Sequence, residues 1–219
     1  MDDITESNEE YNLLLWLSRV LKGFLLVGLG VCLFGGHNFN VFLIGFILAF
    51  TIIPHVIWDV YIPVEIEFAT VLFLFASIFL GTVHGWYEQL WWWDLFLHLW
   101  SGVLLGILGF LLVYLLNESE RVTVSLNPFF VVLFSFSFAV TIGVFWEFIE
   151  FGLDQIFGLM SQQNSLVDTM GDLLVDAVGA LLVSVAGYMW LKYNVRTVVS
   201  NTIERIGKTV ASRRSRPDG

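Results

Sequence analysis

The sequence predicts an all-α integral membrane protein, a bundle of six transmembrane helices. Three observations predict it. Six stretches of roughly 18–25 mostly apolar residues are each long enough to cross a bilayer. The chain is 57% hydrophobic and 14% charged, whereas soluble domains run at about 45–50% apolar and about 25% charged. When six spans are threaded alternately, every lysine and arginine falls on one side, as the positive-inside rule requires of a cytoplasmic face.

The spans are read at about residues 13–35, 39–58, 64–84, 94–116, 128–150 and 170–191. The acidic start, "MDDITESNEE", has no basic n-region or small-residue cleavage site, so a cleaved signal peptide is not expected and the first span serves for insertion. "FGGHNFN" separates the first two spans, and "DVYIPVE", with Pro63, separates the second from the third. "HGWYEQLWWW" leads into the fourth, its tryptophans suiting an interfacial aromatic belt. "NESERVTVSLNP" and "GLDQIFGLMSQQNSLVDT" make the last two connections.

Arg19 and Lys22 start span one, Arg121 lies between spans four and five, and Lys192, Arg196, Arg205, Lys208, Arg213, Arg214 and Arg216 follow span six. Five or seven spans would split this set. The organisation expected is an acidic cytoplasmic N-terminus (1–12), a transmembrane domain (13–191) and a basic cytoplasmic tail (192–219), with the protein multi-pass in the inner membrane. Val195, Val198, Val199, Ile203, Ile206 and Val210 form an apolar stripe in the tail. Such a stripe either lies on anionic lipid or belongs to a disordered topology signal. Membrane lipids are the expected partners, and homo-oligomerisation is left open. The single cysteine, Cys32, lies in an apolar span and cannot form an intramolecular disulfide.

The threading gathers acids on the outer side. His84 and Glu88 end span three, Asp94 and His98 begin span four, Glu147, Glu150 and Asp154 end span five, and Asp168, Asp172 and Asp176 begin span six. No lysine or arginine lies there to pair with them. Like charges held close and away from water cannot all stay ionised, so either protons or a divalent cation neutralises the cluster. Asp94 and His98, four residues apart, place carboxylate and imidazole on one helical face, and helix bundles build metal sites from such inward pairs. The metal-ligand candidates are Asp94, His98 and Asp172, with Zn, Mn or Mg as the ion. Glu147, Glu150 and Asp176 are the catalytic candidates, one of them a general base. Asp168 reads as a helix N-cap, Asp154 and Glu88 read as solvated, and His84 reads as a satisfied interfacial polar residue. A smaller inner set, His55, Asp59, Glu65 and Glu67, reads as an interfacial loop, the alternative being an inner counterpart of the outer cluster that would bear on transport.

Three short motifs carry a resemblance: "DLFLH", with Gly102 four residues beyond its histidine, then "FWEFIEF", then "DTMGDLLVDAVGA". Across about residues 85–191 the chain resembles the YjdF-like family of small inner-membrane proteins, and more distantly VanZ-like ones. The shared pattern covers Asp94, His98, Gly102, Glu147, Glu150, Asp168, Asp172, Asp176, Gly179 and Ala180. The chain departs from it at Leu95, where a basic residue often stands, and at Val167, where tryptophan is common. The first departure removes an internal counter-charge. The family has no assigned activity, so the resemblance implies a fold and a site, not a reaction.

Three functions fit these residues. The leading one is a metal-dependent membrane enzyme acting on a lipid-type substrate, with bound metal activating water and a carboxylate as base. The second is a cation- or proton-coupled transporter, since acid and histidine chains mark ion pathways. The third is a structural or accessory protein with a protonated acid network. Nucleotide and nucleic-acid binding are disfavoured, because phosphate loops, dinucleotide fingerprints and basic grooves are missing.

Overall fold

In the computed structural model the described residues are 2–35, 38–56, 64–117, 127–158, 162, 165–197 and 199–206. The side chain of His55, and Asp59, Arg121 and residues from 207 onward, lie outside them. The helices are α1 (Asp2–Gly35), α2 (Asn38–Val56), α3 (Val64–Leu74), α4 (Trp86–Gln89), α5 (Trp93–Asn117), α6 (Pro128–Phe157) and α7 (Leu166–Tyr193), followed by α8 (199–206). From Phe75 to Val83 α3 continues as a π-helical stretch. The described residues include no strand. The protein is therefore all-α, and five of its helical stretches are long and apolar enough to cross a membrane: Tyr11–Gly35, Val64–Val83, Trp93–Val113, Pro128–Phe157 and Leu166–Tyr193. These coincide with expected spans one, three, four, five and six. The expected second span falls on α2, 19 residues long.

The chain divides into two units, 1–93 and 94–219. In the first, Leu25 and Cys32 of α1 pack with Ile44, Ile47 and Leu48 of α2, and Leu74, Phe75 and Ile78 lie against them. Lys22 Nζ donates to Glu67 Oε1 at 2.6 Å and Ser18 Oγ donates to the same oxygen at 3.2 Å. Glu67 of the inner set is thus half of an ion pair rather than a loop residue. Six residues further along α1, a Cβ on Gly28 would lie 2.6 Å from the Phe79 ring. Both contacts advance in the same chain direction, so α1 and the α3 stretch run parallel.

In the second unit, α5, α6 and α7 meet through small residues. A Cβ on Gly102 would strike the carbonyl oxygen of Asp176, and one on Gly179 would strike that of Leu99. Gly106 faces Val183 and Gly109 faces Ser135, while Ser135 Oγ donates to the Gly106 carbonyl at 2.6 Å. Small residues let backbones approach where lipid supplies no hydrophobic drive between helices. The polarity of this unit is inverted accordingly: His98, Ser135, Glu147, Asp172, Asp176 and Ser184 are buried, whereas Phe145, Phe148, Phe151, Leu174 and Leu182 are exposed.

Three local expectations change. Helix α6 continues past 150 to Phe157, where Gly158 at φ 66° closes it with a left-handed cap. Ser165, not Asp168, is the N-cap of α7, its hydroxyl facing the Asp168 N–H at 3.4 Å, so the helix begins four residues before the expected span. In the tail, Ser200, Ile203 and Ile206 of α8 are buried, so this part of the apolar stripe is covered by protein.

Candidate metal centre

The acids of the second unit converge because helix direction alternates along α5, α6 and α7. Asp94 and His98 stand in the first turns of α5, and Asp168, Asp172 and Asp176 in the first three of α7. Glu147 lies about 28 Å along α6 from its start, at 1.5 Å per residue. That advance brings it level with the starts of its two neighbours. The polar groups that meet there are deeply enclosed, with His98 6% exposed, Glu147 3%, and Asp172 and Asp176 2% each.

His98 organises the cluster. Its Nδ1–H donates to Asp176 Oδ2 at 3.1 Å. The Ser101 hydroxyl donates to the other oxygen of Asp176 at 2.5 Å and also lies 2.8 Å from the His98 carbonyl oxygen. Both oxygens of Asp176 are thereby committed. In the neutral ring this hydrogen bond fixes the tautomer, with the Nε2 lone pair directed away from Asp176. Nε2 lies 3.8 Å from Asp94 Oδ1 and 3.9 Å from Glu147 Oε1. Gly143 of α6 makes room for this arrangement, since a Cβ there would stand 2.7 Å from Asp176 Oδ2.

One donor atom each from Asp94, His98 and Asp172 falls within 4.8 Å of the others. A tetrahedral ion with bonds of about 2.0–2.2 Å holds its donors about 3.3–3.6 Å apart, so side-chain adjustments on the order of 1 Å would close the set. Asp172 Oδ1, Glu147 Oε1 and Asp168 Oδ2 are buried and accept no hydrogen bond. An unsatisfied buried acceptor costs about 1–3 kcal/mol, and more when charged. Among the described residues, neither lysine nor arginine pairs with Asp94, Glu147, Asp172 or Asp176. Mixed carboxylate and imidazole donors fit Mn²⁺ or Zn²⁺ better than Mg²⁺, which prefers oxygen alone.

The other expected residues divide. Glu150 accepts from Trp146 Nε1 at 2.9 Å and stands within electrostatic range of Glu147, Asp94 and His98. Asp168 lies within electrostatic range of Asp94 and Asp172. Asp154 is buried, not solvated, and accepts from the Gln162 N–H at 2.9 Å. In the first unit, Glu88 is exposed, and His84 uses Nδ1 on the Phe79 carbonyl at 3.0 Å, the satisfied polar role expected of it.

Two residues escape a reading of the sequence. Ser101 stands one turn from His98 on the same face, a spacing that could have marked it. Gln162, whose Nε2 donates to Glu147 Oε2 at 3.2 Å, sits in a polar connection with no periodic signal.

Fold and site together define a polytopic α-helical membrane protein with a desolvated acid and histidine cluster inside its helices. The family described as "Predicted membrane protein (DUF2238)" matches residues 17–193, and the chain belongs to that family. The match agrees with the YjdF-like resemblance, and nothing supports the more distant VanZ-like one. Neither a curated protein nor a solved structure matches the chain.

Proposed function

We propose that this protein is a metal-dependent membrane enzyme whose divalent ion is held by Asp94, His98 and Asp172 and whose substrate is lipid-like. The observation that carries the proposal is the buried Asp172 Oδ1, which accepts no hydrogen bond and belongs to a donor set with the oriented His98. A histidine donating its far N–H to a carboxylate is the usual outer support of a metal-bound imidazole, and Asp176 takes that part here. When bound, the ion acts as a Lewis acid and lowers the pKa of water. Glu147 faces His98 Nε2 through Oε1, and Glu150, one turn further along α6, is placed to take a proton.

Two features favour an enzyme over a transporter. The donors cluster toward one end of α5 and α7, whereas transporter sites lie near the midplane. Exposed Trp146, Met170 and Leu174 lie close in sequence to the site residues, which suits substrate arriving laterally from lipid.

The same reading has six crossings, both termini cytoplasmic and the site opening outward at the inner membrane. Its support is the parallel course of α1 and α3, which requires a return between them. Helix α2, about 28 Å long at 1.5 Å per residue, supplies one close to the ~30 Å of hydrocarbon.

The test is elemental analysis of the full chain purified in detergent, comparing wild type with His98→Ala and Asp172→Asn. About one Mn or Zn per chain, lost from both variants, supports the proposal. A metal-free wild type showing pH-dependent ion uptake in vesicles, abolished by Glu147→Gln, would favour transport instead.

A further inference from the structure

Glu147 is committed at one oxygen only. Its Oε2 accepts from Gln162 Nε2 at 3.2 Å, and the same amide nitrogen lies 3.3 Å from the Glu147 carbonyl oxygen. Gln162 is itself anchored, because its backbone N–H donates to the buried Asp154 Oδ2 at 2.9 Å. Asp154 stands two turns beyond Glu147 on α6, so both ends of the clamp rest on one helix. The remaining oxygen, Oε1, is buried, accepts no hydrogen bond and lies 3.9 Å from His98 Nε2.

From this geometry we infer that Glu147 is the fourth ligand of the ion, bound through Oε1 alone, and that Gln162 is the residue that positions it. The inference rests on the metal reading given above. A carboxylate can bind through one oxygen or through both, and the two modes compete at a small site. An amide N–H holding Oε2 withdraws that oxygen from the ion and turns the other inward. Three carboxylate oxygens and one imidazole nitrogen then make up a four-donor set, with Glu147 Oε1 drawn in beside Asp94, His98 and Asp172, whose donor atoms already lie within 4.8 Å of one another. Asp154, which the sequence offers as a solvated acid, becomes the anchor of the clamp.

The clamp joins Gln162, which follows α6 in sequence, to the centre. Any movement of Gln162 changes the donor set without touching Asp94, His98 or Asp172. Gln162 thus differs from a residue that merely stabilises the fold.

The test is Co²⁺ titration of the full chain in detergent micelles, read by the visible ligand-field spectrum, which reports coordination number. Gln162→Ala should weaken Co²⁺ binding about ten- to a hundred-fold, the range typical of lost outer support, and should change the spectrum. Asp154→Asn, which keeps an oxygen acceptor, should resemble wild type, whereas Asp154→Ala should move toward Gln162→Ala. In a Glu147→Gln background, Gln162→Ala should add little further loss, because its effect passes through Glu147. Wild-type binding with an unchanged Gln162→Ala spectrum and affinity would overturn the clamp and leave the three-residue centre intact. Full additivity of the two substitutions would overturn it as well. A wild-type chain that takes up no Co²⁺ would overturn the metal centre and the clamp together.

Discussion

Replacing Gly102 by alanine tests the packing that holds the site. The new Cβ would strike the Asp176 carbonyl oxygen and stand 3.0 Å from both the Asp176 carbonyl carbon and its Cα. The carbonyl oxygen is the closest of these atoms and ordinary contacts begin near 3.4 Å, so α5 and α7 would have to part by about 1 Å. No side chain can rotate away, because every atom struck is backbone. Overpacking of this kind costs about 1–3 kcal/mol, or about a 5- to 150-fold loss in the folding equilibrium. Gly179→Ala should cost a similar amount, since its Cβ would strike the Leu99 carbonyl across the same interface. The double variant should cost less than the sum, because one separation relieves both clashes. Gly152→Ala on α6 is the control, with open space around its Cβ. The assay is reversible unfolding of the detergent-purified chain in mixed micelles of increasing SDS fraction. If Gly102→Ala proves as stable as Gly152→Ala, the close approach of α5 and α7 is wrong.

Ser101→Ala should lower Co²⁺ affinity about ten-fold, by freeing the Asp176 carboxylate that orients His98; a titration against wild type checks it. Ser135→Ala removes the buried hydroxyl bond to the Gly106 carbonyl and should cost about 0.5–1 kcal/mol in the SDS assay. Lys22→Ala removes the cation facing Glu67 in a setting where the two side chains are 17% and 14% exposed. Its cost should fall between those of surface and buried pairs, about 1–3 kcal/mol, and Lys22→Ala/Glu67→Gln should recover part of it in the same measurement.

The helices were legible because apolar runs of membrane length have few alternatives, and five of the six expected spans return as long apolar helices. Their ends were less legible. Glu150 and Asp154 looked like a chain leaving the membrane, yet the α-helix persists until Gly158 supplies a left-handed residue. Asp168 looked like a cap because aspartate caps well, but Ser165 lies where the chain turns extended. The π-helical stretch at Phe75–Val83 has no counterpart in the hydrophobic pattern.

At the site, spacing and alternating direction were enough to group Asp94, His98, Glu147, Asp172 and Asp176. Division of labour among them was not legible. Whether Asp172 or Asp176 faces the His98 Nδ1 depends on how closely α5 approaches α7, and that distance is set by the pairing of Gly102 with Gly179. Gln162, which donates to Glu147, lies in a stretch of sequence that carries no periodicity to read.

The central claim is that an ion bridges α5 and α7 at Asp94, His98 and Asp172. X-ray absorption at the edge of the metal that co-purifies with the full chain tests it most directly. The account predicts a first coordination sphere of one imidazole nitrogen with carboxylate oxygens and no sulfur, disrupted by Asp172→Asn. A sphere without imidazole, or one unchanged by Asp172→Asn, would contradict it.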